Sequence, residues 1–326
     1  MAAPSFTPHR LARGGHRQTV LGWWTRRALR WTLPAEDRVI DAGDGVRLLC
    51  RVTWQPGPRA ARPALLLVHG LGGSDAAGYM VSTGYLAWAR GWHVARLNLR
   101  GAGESEALCP LLYNSGVDGD VNAALGALAR EAPRLALIGF SLGANLALLC
   151  ASRGAARLPT AVAAVAAVSP PVDLAACATA LDAWGNRAYQ LNFLLGLCAS
   201  YRRRQRLAPH VFAPGREIGV RSIREYDERI TAPYGGYRDA SDYYARASSG
   251  PHLARLARPT LLLGALDDPI IPGDSVRARL PDATGPLRAE LHATGGHVGF
   301  VAPSEAPGSF WAAQRALDFL DEHVGA

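Results

Sequence analysis

The chain has 326 residues, of which 49% are hydrophobic, enough to bury the core of one large domain. Its formal net charge is +8, and all 35 basic residues are arginine. The absence of lysine excludes a phosphate-binding loop of the G-x-x-x-x-G-K type, a Schiff-base lysine and a Ser-Lys dyad. The arginines are scattered, without a basic tail or a long run of like charge, so we do not expect nucleic-acid binding.

The cysteines and the apolar runs bear on the location of the protein. Five cysteines stand far apart without a C-x-x-C pair, which is typical of small core residues in a reducing compartment. Residues 1–15 contain no apolar stretch long enough for a secretory signal. The most apolar run, residues 161–168, is far shorter than a membrane span. We therefore expect a soluble, cytoplasmic protein.

Short apolar runs alternate with segments of helical pattern through most of the chain. The runs predict eight strands, at residues 38–41, 46–54, 64–68, 92–97, 135–139, 161–169, 260–263 and 287–292. The first two, joined by Gly-Asp-Gly, predict a hairpin. Asp120 is placed to cap one helix, Leu142 begins another, and an amphipathic helix covers residues 310–323. The alternation predicts an α/β fold with a mostly parallel eight-stranded sheet flanked by helices.

The pattern changes after the sixth predicted strand. Residues 170–257 are helical in pattern, aromatic and rich in arginine. We interpret them as a helical cap inserted into a core domain of residues 1–169 and 258–326. The arginine-rich run at residues 201–206 could face anionic or lipid headgroups, but a solvated helix face is the favoured interpretation.

One pentapeptide matches a nucleophile motif. Residues 139–143, Gly-Phe-Ser-Leu-Gly, fit the G-x-S-x-G pattern, in which a sharp turn from a strand into a helix exposes the serine hydroxyl. The bare pattern is only moderately informative, and Ser141 could instead be an ordinary helix N-cap. Its position between a buried strand and a buried helix favours the nucleophile, because the two glycines avoid side-chain clashes in such a turn.

The residues that would activate this serine follow it in the order Asp, His that the motif requires. Asp268 lies just past a strand and before a proline-rich loop, so we choose it as the orienting acid, with Asp267 as the alternative. His297 lies in a loop flanked by glycines and is the natural base, since an imidazole can accept and return a proton. His292 is interpreted instead as a strand residue with a satisfied ring.

An ester hydrolase also needs N–H donors for the oxyanion of its tetrahedral intermediate. We expect them from the backbone of Leu142, next to the serine, and of Leu71, in the glycine-rich loop after the third strand. His69, beside that loop, is expected to be structural. Gly101 and Gly103 do not complete the dinucleotide-binding pattern G-x-G-x-x-G, because Glu106 stands in place of its third glycine. No grouping of histidine and cysteine has the spacing of metal ligands. We expect neither a cofactor nor a metal.

Several short motifs, in order along nearly the whole chain, carry a family resemblance. They are Phe-Thr-Pro at 6–8, Gly-His-Arg-Gln-Thr at 15–19, His-Gly-Leu at 69–71 with Gly-Ser at 73–74, Gly-Phe-Ser-Leu-Gly at 139–143 with Asn145, Glu-Tyr-Asp at 225–227, Ile-Thr-Ala at 230–232, Gly-Tyr at 236–237, Asp-Tyr-Tyr at 242–244, Asp-Asp-Pro at 267–269 and Gly-Gly-His-Val-Gly-Phe at 295–300. The chain thereby resembles the bacterial YheT-like hydrolases and their plant and animal α/β-hydrolase-domain relatives. The resemblance implies an α/β-hydrolase fold, a triad of Ser141, Asp268 and His297, and ester hydrolysis without metal or organic cofactor.

These expectations together predict a serine hydrolase that cleaves carboxylic esters through an acyl-enzyme on Ser141. The expected partner is a small-molecule or lipid-like ester, with no nucleic acid and no stable membrane span. An acyltransferase or a thioesterase with the same triad is the alternative. A non-catalytic binding protein on a hydrolase fold is a third hypothesis, against which the complete triad argues.

Overall fold

A sheet of eight strands forms the centre of the molecule, whose computed structural model describes residues 5–281, 285–303 and 310–325. The strands are β1 (Glu36–Asp41), β2 (Arg47–Thr53), β3 (Ala64–Val68), β4 (His93–Asn98), β5 (Leu135–Phe140), β6 (Val162–Val168), β7 (Thr260–Ala265) and β8 (Leu287–His292). They lie side by side in the order β1-β2-β4-β3-β5-β6-β7-β8. All eight predicted strands are confirmed, with ends that differ by at most two residues, and so is the predicted fold class.

The directions of the strands bring several loops to one edge of the sheet. β2 is antiparallel to β1 and to β4, which confirms the predicted hairpin, and β3 to β8 are parallel to one another. The central strands are buried on both faces, which explains their continuous apolar sequences. The loops that follow β3, β5 and β7 therefore leave the sheet at the same edge, where ligands bind in open parallel sheets.

Eleven helices are described around this sheet. They are α1 (Gly15–Arg26), α2 (Gly78–Ala89), α3 (Asp118–Ala129), α4 (Leu142–Ala151), α5 (Leu174–Asp182), α6 (Arg187–Leu207), α7 (Ile223–Tyr226), α8 (Ala232–Gly235), α9 (Ala240–Ala247), α10 (Gly273–Arg277) and α11 (Trp311–Val324). α2 and α11 pack on one face of the sheet, and α3 and α4 pack on the other. α11 confirms the predicted amphipathic helix. None of the described helices is long and apolar enough to cross a membrane.

The predicted cap of α3 is wrong. The helix begins at Asp118, and Val117 occupies the N-cap position, so Asp120 lies inside the first turn. Its carboxylate is almost fully buried and accepts a hydrogen bond of 2.8 Å from the Arg100 guanidinium. A buried carboxylate is stable only with such a partner, so pairing with Arg100 determines the position of Asp120.

The chain between β6 and β7 contains α5 to α9, and α5, α8 and α9 form a small hydrophobic cluster of their own. Asn145 of α4 joins this segment to the sheet: its buried side chain donates to the Ala247 carbonyl at 2.8 Å and accepts from the Ser249 N–H at 2.9 Å. The helical character predicted for the segment is confirmed. Its division from the core as residues 170–257 stays a prediction.

The cysteines are free thiols. Cys50, Cys109, Cys150 and Cys177 are buried, and Cys198 is half-buried. Their prediction as small core residues is confirmed for the four buried ones.

Candidate active site

Ser141 stands at the turn between β5 and α4. Its backbone has φ 52° and ψ −121°, a conformation that is costly for any residue with a side chain. A Cβ on Gly139 would overlap the Gly143 backbone, and one on Gly143 would overlap the end of β3, so both positions require glycine. The hydroxyl of Ser141 accepts no hydrogen bond from α4. Ser141 therefore occupies the N-cap position of α4 without capping the helix through its side chain, so it is not an ordinary N-cap.

His297 lies in the loop after β8 and touches both Ser141 and Asp268. Its Nε2 is 2.9 Å from the Ser141 hydroxyl oxygen, and its Nδ1 is 2.9 Å from a carboxylate oxygen of Asp268. The His297 side chain is 10% exposed and that of Asp268 is 2% exposed. The three side chains thus form a hydrogen-bonded series that is screened from water except at its serine end, a geometry suited to proton transfer from the hydroxyl.

The two adjacent aspartates make different contacts. Asp268 uses its second oxygen, Oδ1, to accept hydrogen bonds from the N–H groups of Ile270 and Ile271, at 2.8 and 2.9 Å. Asp267 instead accepts from the N–H of Gly296 at 2.9 Å, and burial raises the pKa of its carboxyl. Of the two candidates, only Asp268 contacts the imidazole, while Asp267 holds the backbone of the histidine loop.

Two backbone N–H groups beside Ser141 have no hydrogen-bond acceptor in the part of the chain that the structure describes. Leu142 is the first residue of α4, so its N–H has no acceptor within the helix. In the loop after β3, the N–H groups of Gly70, Gly72 and Gly73 bond to Tyr79, Tyr113 and the Gly70 carbonyl respectively. That of Leu71 has no acceptor among the described residues. Leu71 and Leu142 both line the cavity in front of Ser141.

His69 precedes this loop and has a structural setting. Its ring is fully buried, with Nδ1 2.8 Å from the Gly70 carbonyl oxygen and Nε2 accepting from the Leu99 N–H at 3.3 Å. Burial lowers the pKa of this imidazole to about 4, so the ring is neutral near pH 7. Both nitrogens are used within the protein, as expected for a structural histidine.

Helix α1 binds the histidine loop through polar groups, a role that the sequence analysis missed. The Thr19 hydroxyl accepts a hydrogen bond of 2.8 Å from the His297 N–H. The buried Gln18 side chain accepts from the Val301 N–H at 2.6 Å and donates to the carbonyls of Ala12 and Val301. Gln18 and Thr19 belong to the Gly-His-Arg-Gln-Thr motif, which was the only sequence clue to this contact.

A buried arginine completes the attachment of α1 to the loop. Arg26 donates 2.9 Å hydrogen bonds to the carbonyls of Val298 and Gly299, and its guanidinium lies 4.0 Å from the centre of the Phe310 ring. Burial lowers the pKa of this guanidinium to about 9. The φ angle of Val298 is 52°, so the loop has a strained backbone conformation next to the imidazole. The contacts of Arg26 stabilise that conformation.

A cavity of about 270 Å³ opens in front of Ser141. One wall consists of apolar side chains from the segment between β6 and β7 and from the loop after β7, namely Leu174, Cys177, Ala178, Leu181, Ile223, Ile270 and Ile271. Another part is polar and includes Asn114, Ser115, Asn192, Ser200 and Arg203. The cavity therefore offers an apolar surface and a polar surface on its walls.

The interpretation of residues 201–206 as a solvated helix face is wrong for Arg204. Arg202, Arg203 and Arg206 are exposed, but the Arg204 side chain is fully buried at the cavity wall. Its guanidinium pairs with Glu106 at 3.2 Å and donates to the carbonyls of Gly101 and Leu111. Arg204 thus fastens α6 to the segment that follows β4, which is a structural role.

His292 also departs from its expected setting. It belongs to β8, as predicted, but its Nε2 is buried without a hydrogen-bond partner among the described residues. The ring packs between aromatic side chains, with centroids 4.9 Å from Trp311 and 6.2 Å from Phe300. It does not contact Ser141 or Asp268. In the described ranges, no group of three or more His, Cys, Asp or Glu side chains could hold a metal ion.

A mostly parallel sheet with a strained serine between β5 and α4, hydrogen-bonded to a histidine after β8, defines the class of α/β hydrolases. The sequence profile of the alpha/beta hydrolase fold matches residues 63–301. The chain belongs to the α/β-hydrolase family and is an esterase- or lipase-like member of it.

Named relatives agree with this assignment. The chain is 32% identical to a putative esterase, YheT, of Escherichia coli over all of this chain and 95% of the relative. It is 28% identical to a monoacylglycerol lipase of Saccharomyces cerevisiae, over 80% of this chain, and 29% identical to a mouse phospholipase, ABHD3, over 74% of it. It spans 59% of the length of each of these last two proteins.

Solved structures share the fold. An esterase of Pyrococcus furiosus superposes with a TM-score of 0.60 at 18% identity, covering 91% of this chain and 98% of the esterase. An esterase of Pyrobaculum calidifontis gives a TM-score of 0.59 at 20% identity, covering 95% and 92% of the two chains. At these identities the comparison shows a common fold.

Proposed function

We propose that the protein hydrolyses carboxylic esters through an acyl-enzyme on Ser141. The observation that carries this proposal is the hydrogen-bonded series from the Ser141 hydroxyl through His297 to Asp268, with 2.9 Å at each step. The serine end of the series opens into the cavity, where a substrate carbonyl can reach it. The relatives named as an esterase and as a lipase support the proposal that this site takes ester substrates.

In the proposed reaction, His297 Nε2 takes the hydroxyl proton as Ser141 Oγ attacks the ester carbonyl. The N–H groups of Leu71 and Leu142 then bind the oxyanion, and His297 returns the proton to the leaving alcohol. Water then attacks the acyl carbon as it loses a proton to the same nitrogen, the bond from the acyl carbon to Ser141 Oγ breaks to release the acid, and His297 returns the proton to Oγ. Asp268 accepts a hydrogen bond from the Nδ1–H of His297 throughout, which leaves Nε2 unprotonated and directed at the serine before each proton transfer.

We further propose that residues 170–257 act as a cap over this reaction. Side chains of α5 and the start of α7 form much of the apolar wall of the cavity. The acyl chain would lie against this wall, because burial of its methylene groups stabilises the complex by about 0.8 kcal/mol each. The polar part of the cavity would then face the alcohol portion of the ester.

The test is release of p-nitrophenol from short and medium p-nitrophenyl esters. Ser141→Ala should lower kcat by about a thousandfold or more, because only the oxyanion donors and substrate binding are left. Ser152→Ala, which removes a serine hydroxyl bound to the Leu148 carbonyl farther along the chain, is the matched control and should retain activity. Equal rates for wild type and Ser141→Ala would refute the proposal.

A fluorophosphonate probe adds a second test of the same serine. The probe should label wild type and the Ser152→Ala variant but not Ser141→Ala, since only an activated serine attacks phosphorus. A protein that binds esters without cleaving them would escape labelling altogether. If the acyl group passes mainly to an added alcohol or thiol rather than to water, the chemistry is acyl transfer with the same residues.

A further inference from the structure

Most of the large apolar side chains that face solvent lie in two segments, residues 1–35 and 183–216. Nine of the eleven exposed in the described part of the chain belong to them. They are Leu11, Val20, Trp23, Trp24, Trp184, Leu191, Leu195, Leu207 and Val211. Trp184 is 82% exposed and Trp23 is 63% exposed. We call the exposed surface of these two segments the basic apolar face, because the segments are rich in arginine as well as in exposed apolar side chains.

The same two segments account for the net positive charge of the chain. Together they contain twelve arginines and no aspartate or glutamate. With a net charge of +8 for the whole chain, the rest of the chain carries +8 minus 12, or −4. The arginines are scattered along the sequence, but the acids are absent from these segments. The charge is therefore concentrated in these segments by the absence of acids and not by a run of arginines.

Most of these arginines are not neutralised by neighbours. Arg202 pairs with Glu217, Arg203 and Arg204 pair with Glu106, and Arg26 is buried. The other eight form no ion pair with any described residue; they are Arg10, Arg13, Arg17, Arg27, Arg30, Arg187, Arg206 and Arg216. Their charge is available to a partner.

The two segments touch each other, and residues 183–216 also border the catalytic cavity. The His16 ring of α1 stacks on the Tyr189 ring of α6 with centroids 5.7 Å apart, and His16 Nδ1 is 3.1 Å from the Tyr189 hydroxyl. On α6, Leu191 and Leu195 are four residues apart and share one side of the helix. Their neighbours Asn192 and Gly196 line the cavity. The basic apolar face therefore continues to the edge of the cavity.

We propose that the basic apolar face docks the protein on an anionic lipid surface. Tryptophan and leucine side chains partition into the headgroup boundary of a bilayer, while arginines beside them bind lipid phosphates. A second copy of this chain is a poorer partner, because it would bring an equally basic surface into contact. The proposal adds a binding surface to the proposed ester hydrolysis and does not depend on it.

The test is co-sedimentation of the full chain with phosphatidylcholine vesicles, with and without phosphatidylglycerol. Wild type should bind the anionic vesicles, and added salt should weaken the binding. The double variant Leu191→Ser and Leu195→Ser should bind about tenfold more weakly. The double variant Arg17→Gln and Arg27→Gln should lose about tenfold on anionic vesicles and little on neutral ones.

The matched control is Val39→Ser, which removes an exposed apolar side chain on β1, outside the face. It should bind vesicles like wild type. Ser141→Ala should also bind normally, and the leucine variant should hydrolyse soluble esters normally, so loss of docking is distinguishable from loss of catalysis. Equal binding by wild type and the leucine variant would overturn the proposal. So would equally tight binding to single-stranded DNA, or a dimer that the leucine variant dissociates.

Discussion

At the scale of single residues, two adjacent aspartates fix different parts of one loop. Asp268 contacts the imidazole of His297, and Asp267 accepts the N–H of Gly296 immediately before it. The prolines that follow made Asp268 the choice from the sequence, but Asp267 stayed as the alternative because both aspartates follow β7. The difference arises in the turn itself, where the N–H groups of Ile270 and Ile271 hold the Asp268 carboxylate toward the histidine.

Asparagine substitutions should separate the two aspartates. Asp268→Asn should lower kcat by about ten-thousandfold, because the amide can donate to Nδ1 and then leaves the proton on the wrong nitrogen. Asp267→Asn should lower kcat by less than about tenfold, since an amide oxygen can still accept from the Gly296 N–H. The measurement is the steady-state kinetics of both variants on one soluble ester. A larger loss at Asp267 would assign the acid role to that residue.

Other single residues show where sequence reasoning succeeds and fails. Ser141 and His297 could be proposed because a known motif specifies their types and their order along the chain. Arg204 could not be placed, because its burial depends on the carbonyls of Gly101 and Leu111, about a hundred residues earlier. A side chain in an arginine-rich helix acquires such a role only through tertiary contacts.

At the scale of elements, strands and helix α1 differ in what their sequences show. A strand in a parallel sheet is buried on both faces and forms a continuous apolar run, as β3 and β7 do. The buried residues of α1 are instead Gln18, Gly22 and Arg26, four residues apart on one side of the helix. This side has no apolar periodicity because it packs on loop backbone and bonds to it. Pattern reasoning therefore could not predict α1.

A methyl group placed in this contact should impair catalysis. A Cβ at Gly22 would lie 2.9 Å from the Gly299 Cα and would press on the Arg26 guanidinium. We expect Gly22→Ala to shift α1 away from the loop, misplace His297 and lower kcat by about tenfold to a hundredfold, with a smaller effect on KM. The measurement is kcat and KM on a soluble ester.

Gly126→Ala in α3 is the matched control for that substitution. A Cβ at Gly126 meets no atom within 4 Å, so alanine should stabilise the helix by about 0.5 to 1 kcal/mol and leave kcat unchanged. If both variants keep full activity, the contact between α1 and the histidine loop does not position the imidazole.

At the scale of the whole molecule, apolar packing is divided among three clusters. Two lie on opposite faces of the sheet, and the third lies under α5 and α9 in the segment between β6 and β7. Next to the third cluster, Asp227 is buried and accepts a 2.7 Å hydrogen bond from the Tyr244 hydroxyl. We expect this carboxyl group to make the stability of the molecule depend on pH.

The sign of that dependence follows from the pKa. Burial raises the pKa of Asp227 from 3.8 to about 6, so the folded state binds the proton more tightly than the unfolded chain does. The stability that the protonated carboxyl contributes is complete below about pH 4 and is lost as the pH rises through about 6. At pH 8 the buried charge then costs about 3 kcal/mol at most.

Asp227→Asn should therefore stabilise the protein at neutral pH, because the amide is uncharged and its oxygen can still accept from Tyr244. The gain in the free energy of unfolding should grow between about pH 4 and 7 and level off above, by about 3 kcal/mol at most. Urea unfolding over that range measures it. Asp242→Asn is the control. A hydrogen bond from the Arg238 N–H lowers the pKa of the half-buried Asp242 carboxyl, so removal of this carboxylate should not stabilise the protein at pH 7. A gain that is the same at every pH would show that packing, and not the buried charge, distinguishes the Asp227 variant from wild type.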